Sequence, residues 1–271
     1  MVNLTATLSS LIAANHVLDY LNVLDPFGHI SVRNPDNNNT FFIALQMGAG
    51  VVSSIKDVGE YLISDGSGVN GTEGGYAERF IHSEVLKRYP DINAVVHSHN
   101  EDVLPYTITA SVGLESTYHM AGFLGTALNH VPNFDIQSVY NNTDPQDMLV
   151  NTPRLGAALA AVLETNTSRP TSPLYTTALQ RGHGFITTGS SIEQVTEFAY
   201  YATSSARVQT RAIGLLSSSG MGSQNPQYLS TEERKDSKNM NIWISYKPWK
   251  QWVYQSERSG MYINKLGTPP V

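Results

Sequence analysis

Residues 90–99, PDINAVVHSH, organise the reading of the chain. An apolar run with β-branched residues, entered through Pro90-Asp91 and left at Asn100, where a helix is expected to start, reads as a buried strand. Its last residues carry polar groups and face a cleft. Side chains on a strand alternate faces, so His97 and His99 point the same way with Cα atoms roughly 6.5–7 Å apart, a span two imidazoles can close onto one ion. Ser98 faces away.

Upstream, a helix is predicted from about Tyr76 to Tyr89, ending before Pro90, and it carries Glu78 and His82 at i, i+4 spacing. A Gly-rich loop, DGSGVNGTEGG (65–75), precedes it and follows a strand at EYLIS (60–64). HISVR (29–33) and TFFIAL (40–45) read as a hairpin across an Asn-rich connection, and apolar residues at helical spacing place an opening helix over 6–22. Downstream, residues 103–150 mix short apolar pieces with Pro and Asn and give no firm element. A helix then reads from Pro153 or Arg154 to Glu164, with Pro153 suited to the first turn. LYTTALQ (174–180) and HGFITTG (183–189) are strand candidates, followed by a helix from Ser191 or Ile192 to about Leu216.

Residues 217–226 are rich in Ser, Gly and Asn but lead only to an aromatic-rich end, so the chain is read as one domain over 1–271. Irregularly mixed helices and strands point to an α/β fold, layered around a mostly antiparallel sheet. Trp243, Trp249 and Trp252, with Tyr246, Tyr254 and Tyr262, suit packing or an oligomer interface better than a ligand cage. The segment 217–271 is expected to cover the active site or an interface.

With 271 residues, 15% charged side chains and a net charge of −6, neither disorder nor a nucleic-acid partner is indicated. No stretch approaches the roughly 18 consecutive apolar residues of a membrane span. The absence of cysteine removes disulfides, thiolate nucleophiles and iron–sulfur clusters, so any metal must rest on His, Asp or Glu. Five Asn-x-Ser/Thr acceptors, at Asn3, Asn38, Asn70, Asn141 and Asn166, together with few Lys residues lean toward a secreted protein whose leader is absent from the sequence.

A lone His-x-His more often ends a strand than holds a metal. Here His183 lies between Gly182 and Gly184, where backbone can approach closely, and Glu78 and His82 belong to the helix leading into the His97 strand. Three neutral imidazoles with one open position form the ligand set of a catalytic zinc-type site, with His183 as the natural third ligand. Glu78 beside a metal would move protons, its pKa pulled up by burial and down by the cation, and His82 would support it from behind. A P-loop, a dinucleotide fingerprint and a Gly-x-Ser-x-Gly elbow are all missing. His119, alone among apolar residues, reads as structural.

Taken together, GHISVR (28–33), ERFIHSEVLKRYPDINAVVHSH (78–99) and RGHGFITTGSSIEQVTEFAYY (181–201) resemble the class II aldolase/adducin family over about residues 5–215. The resemblance implies a three-layer α/β/α sandwich with a central, largely antiparallel sheet. It also implies a divalent metal on His97, His99 and His183, with Glu78 as acid/base, and a homotetramer with active sites at subunit interfaces. Zinc is the expected ion, with manganese or cobalt as alternatives. Adducin-like scaffold members lack the metal histidines, so their presence argues for an enzyme.

Sugar-phosphate aldolases of this family usually show Gly-Asn-x-Ser where this chain has Gly28-His29-Ile30-Ser31. A Thr-Pro-Ser/Thr-Gly-like turn is replaced here by Ala44-Leu45-Gln46-Met47-Gly48, and a pair of small Ser residues by Tyr76-Ala77. These changes remove donors that a phosphate dianion needs. The Gly-His-x-Ser variant is similar to the branch containing decarboxylases of hydroxyaromatic acids. The expected function is therefore a metal-dependent carbon–carbon lyase, of aldolase or decarboxylase type, acting through an enolate on a small unphosphorylated hydroxy or oxo acid. His29, Ser31 and Tyr76 are expected to meet the substrate. An epimerase or dehydratase using the same enolate, or a non-enzymatic adducin-like assembly protein, are the alternatives.

Overall fold

The computed structural model describes residues 3–109, 111–125, 130–222 and 224–270. Helix α1 (Leu4–Tyr20) is capped by Asn3, whose side chain accepts from Thr5 N–H. Strands β1 (His29–Arg33), β2 (Thr40–Ala44) and β3 (Val58–Leu62) form an antiparallel meander. Helix α2 (Arg79–Arg88), strand β4 (Ala94–Ser98), the short helix α3 (Leu104–Ile108) and the two-residue strand β5 (Asn133–Phe134) follow. Next come helix α4 (Pro153–Ala161), a small hairpin of β6 (Thr165–Asn166) and β7 (Arg169–Pro173), and strands β8 (Thr177–Gln180) and β9 (Gly184–Gly189). Helices α5 (Ile192–Ser218), α6 (Thr231–Ile244) and α7 (Tyr246–Arg258) complete the chain.

The central sheet has seven strands in the order β3-β2-β1-β4-β9-β8-β5, antiparallel throughout except where β5 joins β8 in parallel. Its inner strands are covered on both sides, and consecutive residues belong to different cores: Val95 and Ile186 to one, Val96 and Phe185 to the other. Ile81 and Val85 of α2 and Leu155 and Leu159 of α4 pack on the first face. Leu11 and Val17 of α1, Val195 and Phe198 of α5, and Trp249 of α7 pack on the second. This is the expected three-layer α/β/α sandwich.

Several elements differ from the expectation, among them helices α6 and α7, which stand in a stretch read only as aromatic-rich. Helix α2 begins at Arg79 and not at Tyr76: residues 77–78 form a turn in which the Tyr76 carbonyl accepts from Arg79 N–H, and Glu78, with a ψ of 15°, is the cap. Glu78 thus stands just before the helix instead of within it. The segment after Asn100 turns before entering α3 at Leu104. Helix α4 stops at Ala161, and the β6/β7 hairpin, which Pro170 and Pro173 keep as an isolated pair, had no readable alternation.

Trp249 is 1% exposed, and α7 packs it against α1 and α5. The side chain of Trp243 lies outside the described residues. Trp249→Ala should cost about 3–5 kcal/mol through lost burial and the cavity left behind, read as a lowered urea midpoint. A change below about 1 kcal/mol would show that this stretch adds little to the core.

Candidate active site

Antiparallel pairing brings the start of β1, the end of β4 and the start of β9 to one end of the sheet. His29 pairs directly with His97, and His97 with Ile186. His183 occupies the β8–β9 turn, where Gly182 takes a φ of +64°. A Cβ on Gly184 would lie 2.1 Å from the Ser98 carbonyl oxygen, so the turn can press against the end of β4 only with glycine there.

The result is a cluster in which one ligand atom each from Glu78, His97, His99 and His183 lies within 4.8 Å of all the others. His97 Nε2 is 2.9 Å from His99 Nε2. Glu78 Oε2 is 3.5 Å from Nε2 of both His97 and His183. The other carboxylate oxygen, Oε1, accepts from Val150 N–H at 2.9 Å, which anchors Glu78 to the loop before α4.

Outer contacts set which nitrogen of His97 and of His99 is free. Asp25 accepts from His99 Nδ1–H at 3.1 Å, and the same carboxylate accepts from Phe27 and Gly28 N–H in the turn before β1. The Phe185 carbonyl lies 3.2 Å from His97 Nδ1 and accepts its proton. The side-chain amide of Gln180 is 2.9 Å from the same nitrogen, and its Oε1 has no partner among the described residues. Turning that amide over gives His97 Nδ1–H a second acceptor. Two Nε2 lone pairs then face each other at 2.9 Å, an arrangement that a shared cation relieves. The donor set fits a divalent ion: neutral imidazoles, one carboxylate and no thiolate.

Burial dominates the electrostatics of the histidines at His29, His82 and His99. Burial, helped by His97, pushes His99 down to about 4 and His82 down to about 3. Burial, then His82 and His97, holds His29 well below the usual imidazole range. Burial alone would raise Glu78, but the charge of His97 and hydrogen bonds from His183 and His97 outweigh it, so the carboxyl lies well below the usual range. Burial would lower His183, yet its bond to Glu78 raises it.

Behind the cluster runs a second set of contacts. His82 Nε2 is 2.7 Å from His29 Nδ1, and His82 Nδ1 is 2.6 Å from Ser31 Oγ. The Tyr76 ring lies 4.4 Å from that of His29, and its hydroxyl donates to the Met47 carbonyl. Burial pushes the Tyr76 phenol up to about 12. Beside His99 opens a cavity of about 610 Å³ lined by Asp25, Asp102, Arg207 and, from the C-terminal stretch, Met261 and Tyr262. Tyr262 stacks on His16 and donates to Asp19 at 2.6 Å.

All eight residues named from the sequence therefore lie in or directly behind one site. Sequence reading missed Asp25, Gln180 and Phe185. Asp25 carried a weak signal as the first residue of the Asp-Pro-Phe-Gly turn; Gln180 and a backbone carbonyl carried none.

The model of the class II aldolase and adducin N-terminal domain matches residues 9–210. A decarboxylase of Talaromyces stipitatus, tropJ, is 39% identical over 272 residues, covering 97% of this chain and 99% of that protein. The 3,4-dihydroxyphthalate decarboxylase of Arthrobacter keyseri is 34% identical over 127 residues, 45% of this chain and 43% of the relative. Among solved structures, an L-fuculose 1-phosphate aldolase of Glaciozyma antarctica superposes with a TM-score of 0.68 at 14% identity, covering 97% of this chain and 93% of that one. An aldolase II superfamily protein of Pseudomonas syringae gives 0.69 at 18%, covering 96% of both chains. The chain belongs to the class II aldolase and adducin family.

Proposed function

We propose that this lyase is a metal-dependent decarboxylase of a small, unphosphorylated acid that carries a hydroxyl or oxo group near its carboxylate. The observation that carries this reading is the convergence of Glu78, His97, His99 and His183 within 4.8 Å. The full-length likeness to a decarboxylase favours loss of carbon dioxide over aldol cleavage. His97, His99 and His183 would hold the ion, zinc before manganese or cobalt. When bound, it supplies positive charge where negative charge gathers as the carbon–carbon bond breaks.

Glu78 begins as a carboxylate, which makes it a base first. Its Oε2 takes the proton of the substrate hydroxyl, while Oε1 stays bound to Val150 N–H and fixes the angle of approach. The electrons of the breaking bond remain on the substrate carbon, and carbon dioxide leaves without a proton. Glu78 then gives that proton to the carbon, and the product oxygen takes a proton from solvent as it leaves, so the cycle closes with the carboxylate restored.

The Tyr76 hydroxyl is spent on the Met47 carbonyl, so the position where phosphosugar aldolases offer donors is filled. His29 and Tyr76 define the substrate end, and residues 261–262 form one wall of the approach beside His99. A homotetramer is the assembly that goes with this reading.

The test is a panel of hydroxybenzoates, 3,4-dihydroxyphthalate and oxo acids supplied with zinc, manganese or cobalt. Carbon dioxide should be released from at least one acid, stop on chelation and return on adding metal. Turnover that keeps the carbon count would point to an epimerase or dehydratase, and undiminished activity after chelation would remove the metal from the chemistry.

A further inference from the structure

We propose that Ser31 and His82 do not touch substrate but fix the tautomer of His29, so that His29 Nε2–H is a hydrogen-bond donor to the substrate oxygen that gains negative charge. The proposal rests on the site reading above and adds a positioning role for two residues behind it.

Ser31 is completely buried on β1, and among the described residues its Oγ has one partner, His82 Nδ1 at 2.6 Å. His82 is also completely buried, and its Nε2 meets His29 Nδ1 at 2.7 Å. Each contact holds one hydrogen, so the direction of the first sets the second. A hydroxyl sealed from water directs its hydrogen at the acceptor within reach, and here that acceptor is His82 Nδ1. A neutral His82 then carries its hydrogen on Nε2 and donates to His29 Nδ1. A neutral His29 must in turn carry its hydrogen on Nε2. The opposite direction would leave the Ser31 hydroxyl hydrogen buried without an acceptor.

The remaining nitrogen of His29 has a defined neighbourhood. The His29 ring lies 5.1 Å from that of His97, its directly paired residue on β4, while Tyr76 covers it at 4.4 Å. With Nδ1 taken by His82, Nε2 is the ring's only other polar atom beside the cluster. A neutral donor fixed in advance there favours an oxygen acceptor that becomes more negative as the bond breaks, the arrangement that lowers a barrier without reorganisation. The ligand end at His29 is thus a carboxylate, carbonyl or deprotonated hydroxyl oxygen, not a phosphate needing several donors.

The sequence holds the same pattern. Ser31 and His29 are two apart on one strand and so share a face, and His82 on α2 bridges them. His82 therefore acts through His29, not on a metal ion.

The experiment is a long-range ¹H–¹⁵N spectrum of the zinc-loaded chain labelled at histidine nitrogens, with His29 signals assigned by their loss in His29→Asn. The expected result is His29 and His82 protonated on Nε2, against His97, His99 and His183 protonated on Nδ1. His29 protonated on Nδ1, or on both nitrogens at neutral pH, would overturn the proposal. Ser31→Ala should convert His29 to a tautomer mixture and Ser31→Thr should restore the single form; an unchanged His29 signal in Ser31→Ala would equally overturn it. On an acid turned over in the panel above, Ser31→Ala should lower kcat about tenfold with KM within about threefold, an indirect and so smaller loss than the 10²- to 10³-fold typical of removing such a donor outright. Zinc that leaves the His97, His99 and His183 signals unmoved would refute the metal site, while the tautomer of His29 is still read in the same spectrum.

Discussion

His97→Ala should purify with bound metal reduced at least about tenfold and with no measurable turnover. The side chain is fully buried, and its ring is the hub of the site: its Nε2 faces His99 and Glu78, while its Nδ1 is held by Phe185 and Gln180. Removing it takes away one ligand and also the ring that lies 3.5 Å from Glu78 Oε2. Alanine leaves a hole beneath His29, so some loss of stability accompanies the loss of metal. His99→Ala separates the two effects, because that ring sits at the edge of the cleft and is held from outside by Asp25. It should lose metal and activity to a similar extent with a smaller drop in Tm. Metal analysis by mass spectrometry and a thermal melt of each variant read the outcome. Metal retained at one equivalent in both variants would contradict the assignment.

Glu78→Gln should keep the metal near one equivalent and lower turnover by about 10²- to 10⁴-fold, the range for removing a positioned proton carrier. The amide has the same shape, and its oxygen can still accept from Val150 N–H, so the turn before α2 is preserved. What is lost is the second oxygen, which faces His97 and His183 at 3.5 Å and can take and return a proton. An amide does neither at neutral pH. Single-turnover kinetics with a metal assay on the same sample distinguish loss of chemistry from loss of the ion. Activity within about threefold of the parent would take Glu78 out of the proton path.

The cluster of Glu78 and three histidines was legible because its parts obey local rules. Alternation along a strand puts His97 and His99 on one face, and glycines on both sides of His183 mark a turn that must approach another backbone. The sandwich was legible for similar reasons: the strands around 29–33, 40–45 and 183–189 are short runs rich in β-branched and aromatic residues, and the helices repeat apolar residues at helical spacing. Other features lacked any such rule. Asp25 and Gln180 reach the histidines across 74 and 83 residues of chain, and no local pattern reports such a meeting. The start of α2 was misplaced because residues 76–78 are compatible with helix, whereas the chain makes a turn at 77–78 and Glu78 takes a ψ of 15°. Strand β5 is two residues long and pairs in parallel with β8, too short to leave a periodic trace in 103–150.

Tyr76 illustrates a further limit. By sequence, Tyr76 is expected to meet the substrate. Only the fold shows that side chain closing on the protein itself, with the Tyr76 hydroxyl bonded to the Met47 carbonyl and its ring against His29. The same holds for Ser31, expected at the substrate and found sealed behind His82.

X-ray absorption at the metal edge of the zinc-loaded chain addresses the central claim most directly, since it counts the groups around the ion without needing a substrate. Three imidazole nitrogens with at least one oxygen neighbour is the predicted shell. A shell with fewer than two imidazoles, or zinc that washes away at equimolar protein, would contradict the account.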